Sequence, residues 1–207
     1  MSDPITLYLP HTRIAEATEV FLHTYGCVPD DLAVERVDVS GNPFGYLEHF
    51  QARWAQGRTF INMEHDTVPW PGALQDLLAC ERNWCFFGYL PGIDFVATNA
   101  APFGLVKFGA SLIAAMPDVW ELMERRFVND PCAWSMCDIH FAEYARERGL
   151  FTPHQHSPSV LNANPKFIPV TVDDHEHVYE PSPYASPGVA PVLVCTHPGC
   201  ESFKESV

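Results

Sequence analysis

Thr59-Phe60-Ile61-Asn62-Met63-Glu64-His65-Asp66 is the stretch on which the reading of this chain turns. Its apolar start is a strand candidate, and it runs directly into two acids spaced i, i+2. Side chains alternate along a strand, so two such acids at its C-terminal end point the same way. Open α/β folds bind ligands outside the carboxyl ends of their strands, which is where this pair falls. A pair of that kind can hold a hard divalent cation and leave coordination positions open for a diphosphate. The competing reading is two solvated acids in the turn before Val68-Pro69-Trp70-Pro71, and spacing alone favours it.

Working outward, the segments before Thr59 alternate strand and helix. Ile5–Leu9 is a short apolar strand, and Ile14–Tyr25 is an amphipathic helix closed by Gly26. Ala33–Val39 reads as a second strand. A Ser40-Gly41-Asn42-Pro43 turn leads into a helix from Phe44 to Gln56, which Gly57 ends. With Thr59–Met63 as third strand, this βαβαβ order predicts an α/β fold: a mostly parallel mixed sheet, flanked by helices and joined by right-handed crossovers. Beyond it, Pro71 opens a helix whose inward stripe is Ala73, Leu74, Leu77 and Leu78. Trp84–Leu90 is an apolar strand. From Pro91 to Gly109 the pattern loosens. Helices are expected at Ala110–Met116, Asp118–Arg126 and Trp134–Arg148. Residues 157–191 are rich in Pro, Ser and Asn, so 1–160 is read as the folded domain and 161–207 as an irregular Pro-rich tail.

The chain has 207 residues, enough for one well-buried domain, and its 47% hydrophobic content excludes a disordered class. No apolar run reaches the ~18 residues a membrane span needs. The start, Met1-Ser2-Asp3-Pro4, lacks the basic segment and apolar core of a secretory signal, and a cytoplasmic protein is the expectation. A formal net charge of -14 argues against broad adhesion to nucleic acid. It leaves room for a phosphorylated ligand held through a metal, because the metal supplies the positive charge. Cys27, Cys80, Cys85, Cys132 and Cys137 sit in apolar surroundings and read as reduced core residues.

Two further segments carry chemistry. On the helix around Asp138, Trp134, Phe141 and Ala145 share a face, and Asp138 lies on it. A carboxylate on an inward stripe is costly without a partner or a task. The same residue also fits a helix-start acid in Ser135-x-x-Asp138, so cap and general base both stand. His154-Gln155-His156 is an i, i+2 pair of imidazoles, a common ligand type for transition metals.

Taken in order, three strands ending in Glu64-x-Asp66, the glycine-bearing Gly104-Leu-Val-Lys-Phe-Gly109, Trp134-x-x-x-Asp138 and His154-x-His156 resemble the GT-A class of nucleotide-sugar glycosyltransferases, in its small bacterial and phage forms. The resemblance covers residues 5 to 160. It implies Asp66 as direct ligand of Mn²⁺ or Mg²⁺, with Glu64 on the metal or the donor ribose. It implies Asp138 as the base that deprotonates the acceptor hydroxyl in an inverting reaction, and His156 or His154 as the late metal ligand. Pro10, Thr12, Arg13 and Asp38 fall where such enzymes hold the nucleotide, and Lys107 would face the donor phosphates. The chain departs from the class pattern in having Glu rather than Asp first in the pair, and Cys137 rather than an acid before Asp138.

The implied partners are a nucleotide-sugar donor and a hydroxyl acceptor, a modified DNA base or a protein among the options. For DNA, Arg125, Arg126, Arg146 and Arg148 would form a local basic strip. In the tail, Cys195-Thr-His-Pro-Gly-Cys200 places two thiols around a turn as zinc knuckles do, with His175 and His177 as further ligands of a structural zinc. Two other classes compete: a nucleotidyltransferase acting on a sugar phosphate, and a non-catalytic module stabilised by zinc.

Overall fold

The computed structural model describes residues 4–24, 26–42, 44–89, 95–97, 100–127 and 137–163, together with the backbone of three short strands at 179–181, 192–195 and 203–205. The chain divides into two compact units, Met1–Leu161 and Asn162–Val207.

The first unit is built on β1 (Thr6–His11), α1 (Glu16–His23), β2 (Ala33–Asp38), α2 (Gly45–Ala55), β3 (Phe60–Met63), the two-residue β4 (Thr67–Val68), α3 (Ala73–Ala79), β5 (Trp84–Phe87), β6 (Leu105–Phe108), α4 (Ala110–Ala115), α5 (Val119–Phe127), α6 (Cys137–Glu147) and β7 (His154–His156), with β8 (Leu161–Asn162) at the division. Six strands form one sheet in the order β2-β1-β3-β6-β5-β7. β1 is parallel to β2 and β3, and β5 is parallel to β7. β6 runs antiparallel to both of its neighbours, β3 and β5. The fold is therefore α/β with a mostly parallel sheet. Among the described residues, no helix is long and apolar enough to cross a membrane.

Every residue of β3, β5 and β6 is buried, because successive side chains feed two cores. One face carries Tyr8, Phe60, Trp84, Phe86, Val106 and Phe108 against Phe50 and Trp54 of α2, Trp120 of α5 and Phe141 of α6. Aromatic rings interlock there: Phe50 stacks on Trp120 at 4.8 Å between centroids, and Trp54 meets Phe141 edge-on at 5.6 Å. The Trp54 indole N–H donates to the Met116 carbonyl at 2.7 Å, so the largest ring of α2 is also polar-satisfied. The other face carries Leu7, Leu9, Ile61, Met63, Cys85, Phe87 and Leu105 against Phe21 of α1 and Ala73, Leu74 and Leu77 of α3.

Two expectations need correction. The stretch up to Gly109, read as loosely patterned, contains β6 at the centre of the sheet. Only four residues long, buried on both faces and flanked by Gly104 and Gly109, it shows neither alternation nor length. The segment read as an irregular tail carries β9 (Tyr179–Pro181), β10 (Val192–Cys195) and β11 (Phe203–Glu205), an antiparallel sheet in the order β11-β10-β9. Its register sets Val194 opposite Phe203 and Cys195 opposite Tyr179.

Candidate functional site at the carboxyl edge of the sheet

β3 ends at Met63 because the ladder runs out. The Glu64 amide makes one more bond, to the Gly104 carbonyl at 2.8 Å, and the Thr67 amide then closes a turn onto the Glu64 carbonyl at 3.0 Å. Glu64, His65 and Asp66 thus stand on a tight turn at the carboxyl edge. The turn is fixed from outside as well, since the Ala15 amide donates to the His65 carbonyl at 2.9 Å and Thr18 Oγ1 to the Thr67 carbonyl at 3.0 Å.

Glu64 accepts a hydrogen bond from the Tyr89 hydroxyl at 2.8 Å. That contact needs Gly104: a Cβ there would lie 1.4 Å from the Tyr89 hydroxyl oxygen. Burial pushes the Glu64 carboxyl up to about 7; the Tyr89 bond opposes this, and the Asp66 and Asp138 charges raise it further. Asp66 is 8% exposed, and its Oδ1 has no hydrogen-bond partner among the described residues. Asp138, in the first turn of α6, accepts from the Ile139 amide at 2.9 Å, and burial raises its carboxyl as well. The Cys137 thiol beside it is raised by burial and then by the Asp138 and Glu64 charges. Tyr46, whose hydroxyl pairs with His65 Nδ1 at 2.8 Å, is raised by burial and by the charges of Glu64 and Asp66. The Asp66 and Asp138 charges, from two separate segments, therefore both act on Glu64 in a half-buried edge. Such like-charge crowding is relieved by protonation or by a bound cation.

The nucleotide candidates lie along the same edge. Tyr8 pairs with Asn62, so Pro10 stands level with Glu64, and His11 pairs with Asp38 on the next strand. Pro10 is buried and its carbonyl faces the Tyr46 hydroxyl at 3.4 Å; Thr12 and Arg13 follow it on the exposed side. Asp38 is exposed, and its bonds from Ser40 hold the carboxyl below its usual range. Strand pairing thus sets Pro10 and Asp38 along the edge that carries Glu64 and Asp66, and the Asp138 charge reaches Glu64 from α6.

Other candidates are placed elsewhere. Lys107 pairs opposite Ile61, three residues or about 10 Å back from Glu64, and its ammonium donates to the Cys80 carbonyl. It is not at the rim where donor phosphates were expected. His154 and His156 lie on β7, three strand spacings or about 14 Å from β3. His156 stacks on Phe87 at 5.0 Å between ring centroids. It joins Cys80 and Cys85 in a cluster whose donor atoms all lie within 4.8 Å of one another, and that cluster could hold a metal ion. The late-histidine role beside Asp66 is corrected on this geometry: the two i, i+2 pairs belong to different strands of the sheet and do not converge.

No family model and no curated protein matches this chain. Among solved structures it is similar to A197 from STIV at 13% sequence identity and a TM-score of 0.36, over 55% of this chain and 68% of that one.

Ser135 of the alternative cap, His175, His177 and Cys200 lie outside the described residues, and of Cys195 only the backbone is described, within β10. Of the basic strip, Arg126 pairs with Glu143 at 3.1 Å and Arg148 with Asp118 at 2.9 Å, while Arg146 lies over the Phe151 ring. Sequence reading missed Tyr46 and Tyr89 as site residues, and Cys80 and Cys85 as more than core thiols. The two tyrosines carry no local motif; the i, i+5 spacing of the thiols was the available signal for the others.

Proposed function

We propose that the protein is a metal-dependent, GT-A-like glycosyltransferase that moves a sugar from a nucleotide-sugar donor to a hydroxyl acceptor. The observation that carries this reading is that Asp66 and Asp138 both lie near enough to Glu64 for their charges to act on its carboxyl, with Asp66 Oδ1 buried and unpartnered among the described residues. The oxygen-only donor set suits Mg²⁺ or Mn²⁺, held by Asp66 and Glu64. When bound, such an ion stabilises the charge that develops on the departing diphosphate.

The chain's own groups do the rest. The rim formed by Pro10, Thr12, Arg13 and Asp38 receives the nucleoside. Asp138, made more basic by burial, takes the proton of the acceptor hydroxyl. That oxygen bonds to the anomeric carbon as the carbon–phosphate oxygen bond breaks, and the nucleoside diphosphate leaves. The Tyr89 hydroxyl and the Gly104 gap position Glu64.

The test is a thermal-shift series with nucleoside diphosphates, with and without Mn²⁺. A ligand at ~100 times its Kd adds about 2.7 kcal/mol to the native state. The expected result is a shift that needs both components and disappears in Asp66→Asn. A shift of equal size without metal, or one retained in Asp66→Asn, refutes the reading. Metal-dependent turnover of a sugar phosphate with a nucleoside triphosphate would assign nucleotidyl transfer instead.

A further inference from the structure

On the opposite flank of the sheet, we propose that Cys80, Cys85 and His156 form a zinc site that fastens β7 to β5 and to the end of α3. The three residues come from separate elements: Cys80 caps α3, Cys85 lies in β5 and is fully buried, and His156 ends β7. Their two sulfurs and one imidazole nitrogen fall within 4.8 Å of one another. Tetrahedral zinc, with Zn–S near 2.3 Å and Zn–N near 2.0 Å, holds such donors about 3.5–3.8 Å apart. Closing on an ion therefore takes roughly an ångström of side-chain movement. The sulfur and imidazole set selects zinc over the hard cations suited to Glu64 and Asp66.

Two observations point to an occupant. Nε2 of His156 is shut off from solvent and has no hydrogen-bond partner among the described residues, a costly state for an imidazole nitrogen. Lys107, buried at 4% exposed, donates to the Cys80 carbonyl and also lies beside the Cys85 thiol. Zinc would displace two thiol protons as it gains two thiolates, so the charge buried around Lys107 is the same before and after binding. The Lys107 ammonium then serves as the outer hydrogen-bond donor that such thiolates normally have. Exposed His154 lies beside the cluster, its ring centroid 4.7 Å from that of His156.

The test uses the full chain, untagged and reduced, carrying Cys195→Ser and Cys200→Ser so that the C-terminal thiols cannot contribute. After exposure to Zn²⁺ and passage over a chelating resin, this protein is expected to retain an equimolar amount of zinc. Adding Cys80→Ala, at a half-buried position, is expected to abolish retention. Co²⁺ in place of zinc is expected to give a thiolate-to-metal charge-transfer band in the parent, which Glu64→Gln leaves unchanged and Cys80→Ala removes. A hard cation on carboxylates gives no such band, so the two metal proposals fail separately. Absence of both zinc and the band in the Cys195→Ser, Cys200→Ser chain overturns the proposal, as does their persistence in the Cys80→Ala variant.

Discussion

At the scale of residues, Glu64 holds its proton more tightly folded than unfolded, about 7 against 4.5. Its contribution to stability is therefore complete below the unfolded value and is lost as pH rises through about 7. His49 works in the other direction. Burial, then the Arg53 charge, lowers its imidazole to about 4, so its contribution is present above 6.5 and fades as pH falls. In chelator-treated protein, Glu64→Gln should gain in melting temperature on the wild type as pH rises from about 5 to about 8. A difference between the two that does not vary with pH would show the carboxyl to be ordinary. Gly104→Ala drives a methyl into the Tyr89 hydroxyl and should cost about 1–3 kcal/mol by denaturant midpoint. The acids were legible because they follow a strand. Tyr89 was not, because its bond to Glu64 spans 25 residues that carry no shared pattern. His156 was legible as half of an i, i+2 pair, but its partners depend on β7 lying beside β5, which adjacent sequence does not encode.

At the scale of elements, amphipathic periodicity located α1, α2 and α3 to within a few residues, because each has one buried stripe. Strands β1, β2 and β3 were equally readable from their position between such helices. β6 was not. Its glycine flanks and its internal Lys107 imitate a loop, and only the neighbours on both sides explain why an antiparallel strand sits there. The aromatic face gives this scale its own test. Trp54 is 4% exposed and joins α2 to α4, so Trp54→Ala should cost about 3–5 kcal/mol. Val20→Ala, on the 60% exposed face of α1, should stay within about 0.5 kcal/mol. Urea titrations of the two variants decide this, and comparable losses would contradict the packing described.

For the whole molecule, all six strands of the main sheet and both apolar clusters fall within Met1–Leu161. Residues 1–161 alone should unfold in a single cooperative transition by circular dichroism, and loss of that transition would show that Asn162–Val207 is needed for folding. The negative balance of -14 together with the paired state of Arg126 and Arg148 leaves little free cationic surface on α5 and α6. Salt-dependent DNA binding through that strip should accordingly be absent in a filter-binding assay. Strand β7 has a consequence of a different kind. It is three residues long, lies at the sheet's end, and pairs with a strand about seventy residues earlier. Three residues paired along one side only give it few bonds to hold it in place. In zinc-free protein, amides of His154–His156 should exchange through a local opening well before those of β3 and β6 in native-state hydrogen exchange, and zinc on Cys80, Cys85 and His156 should slow that opening.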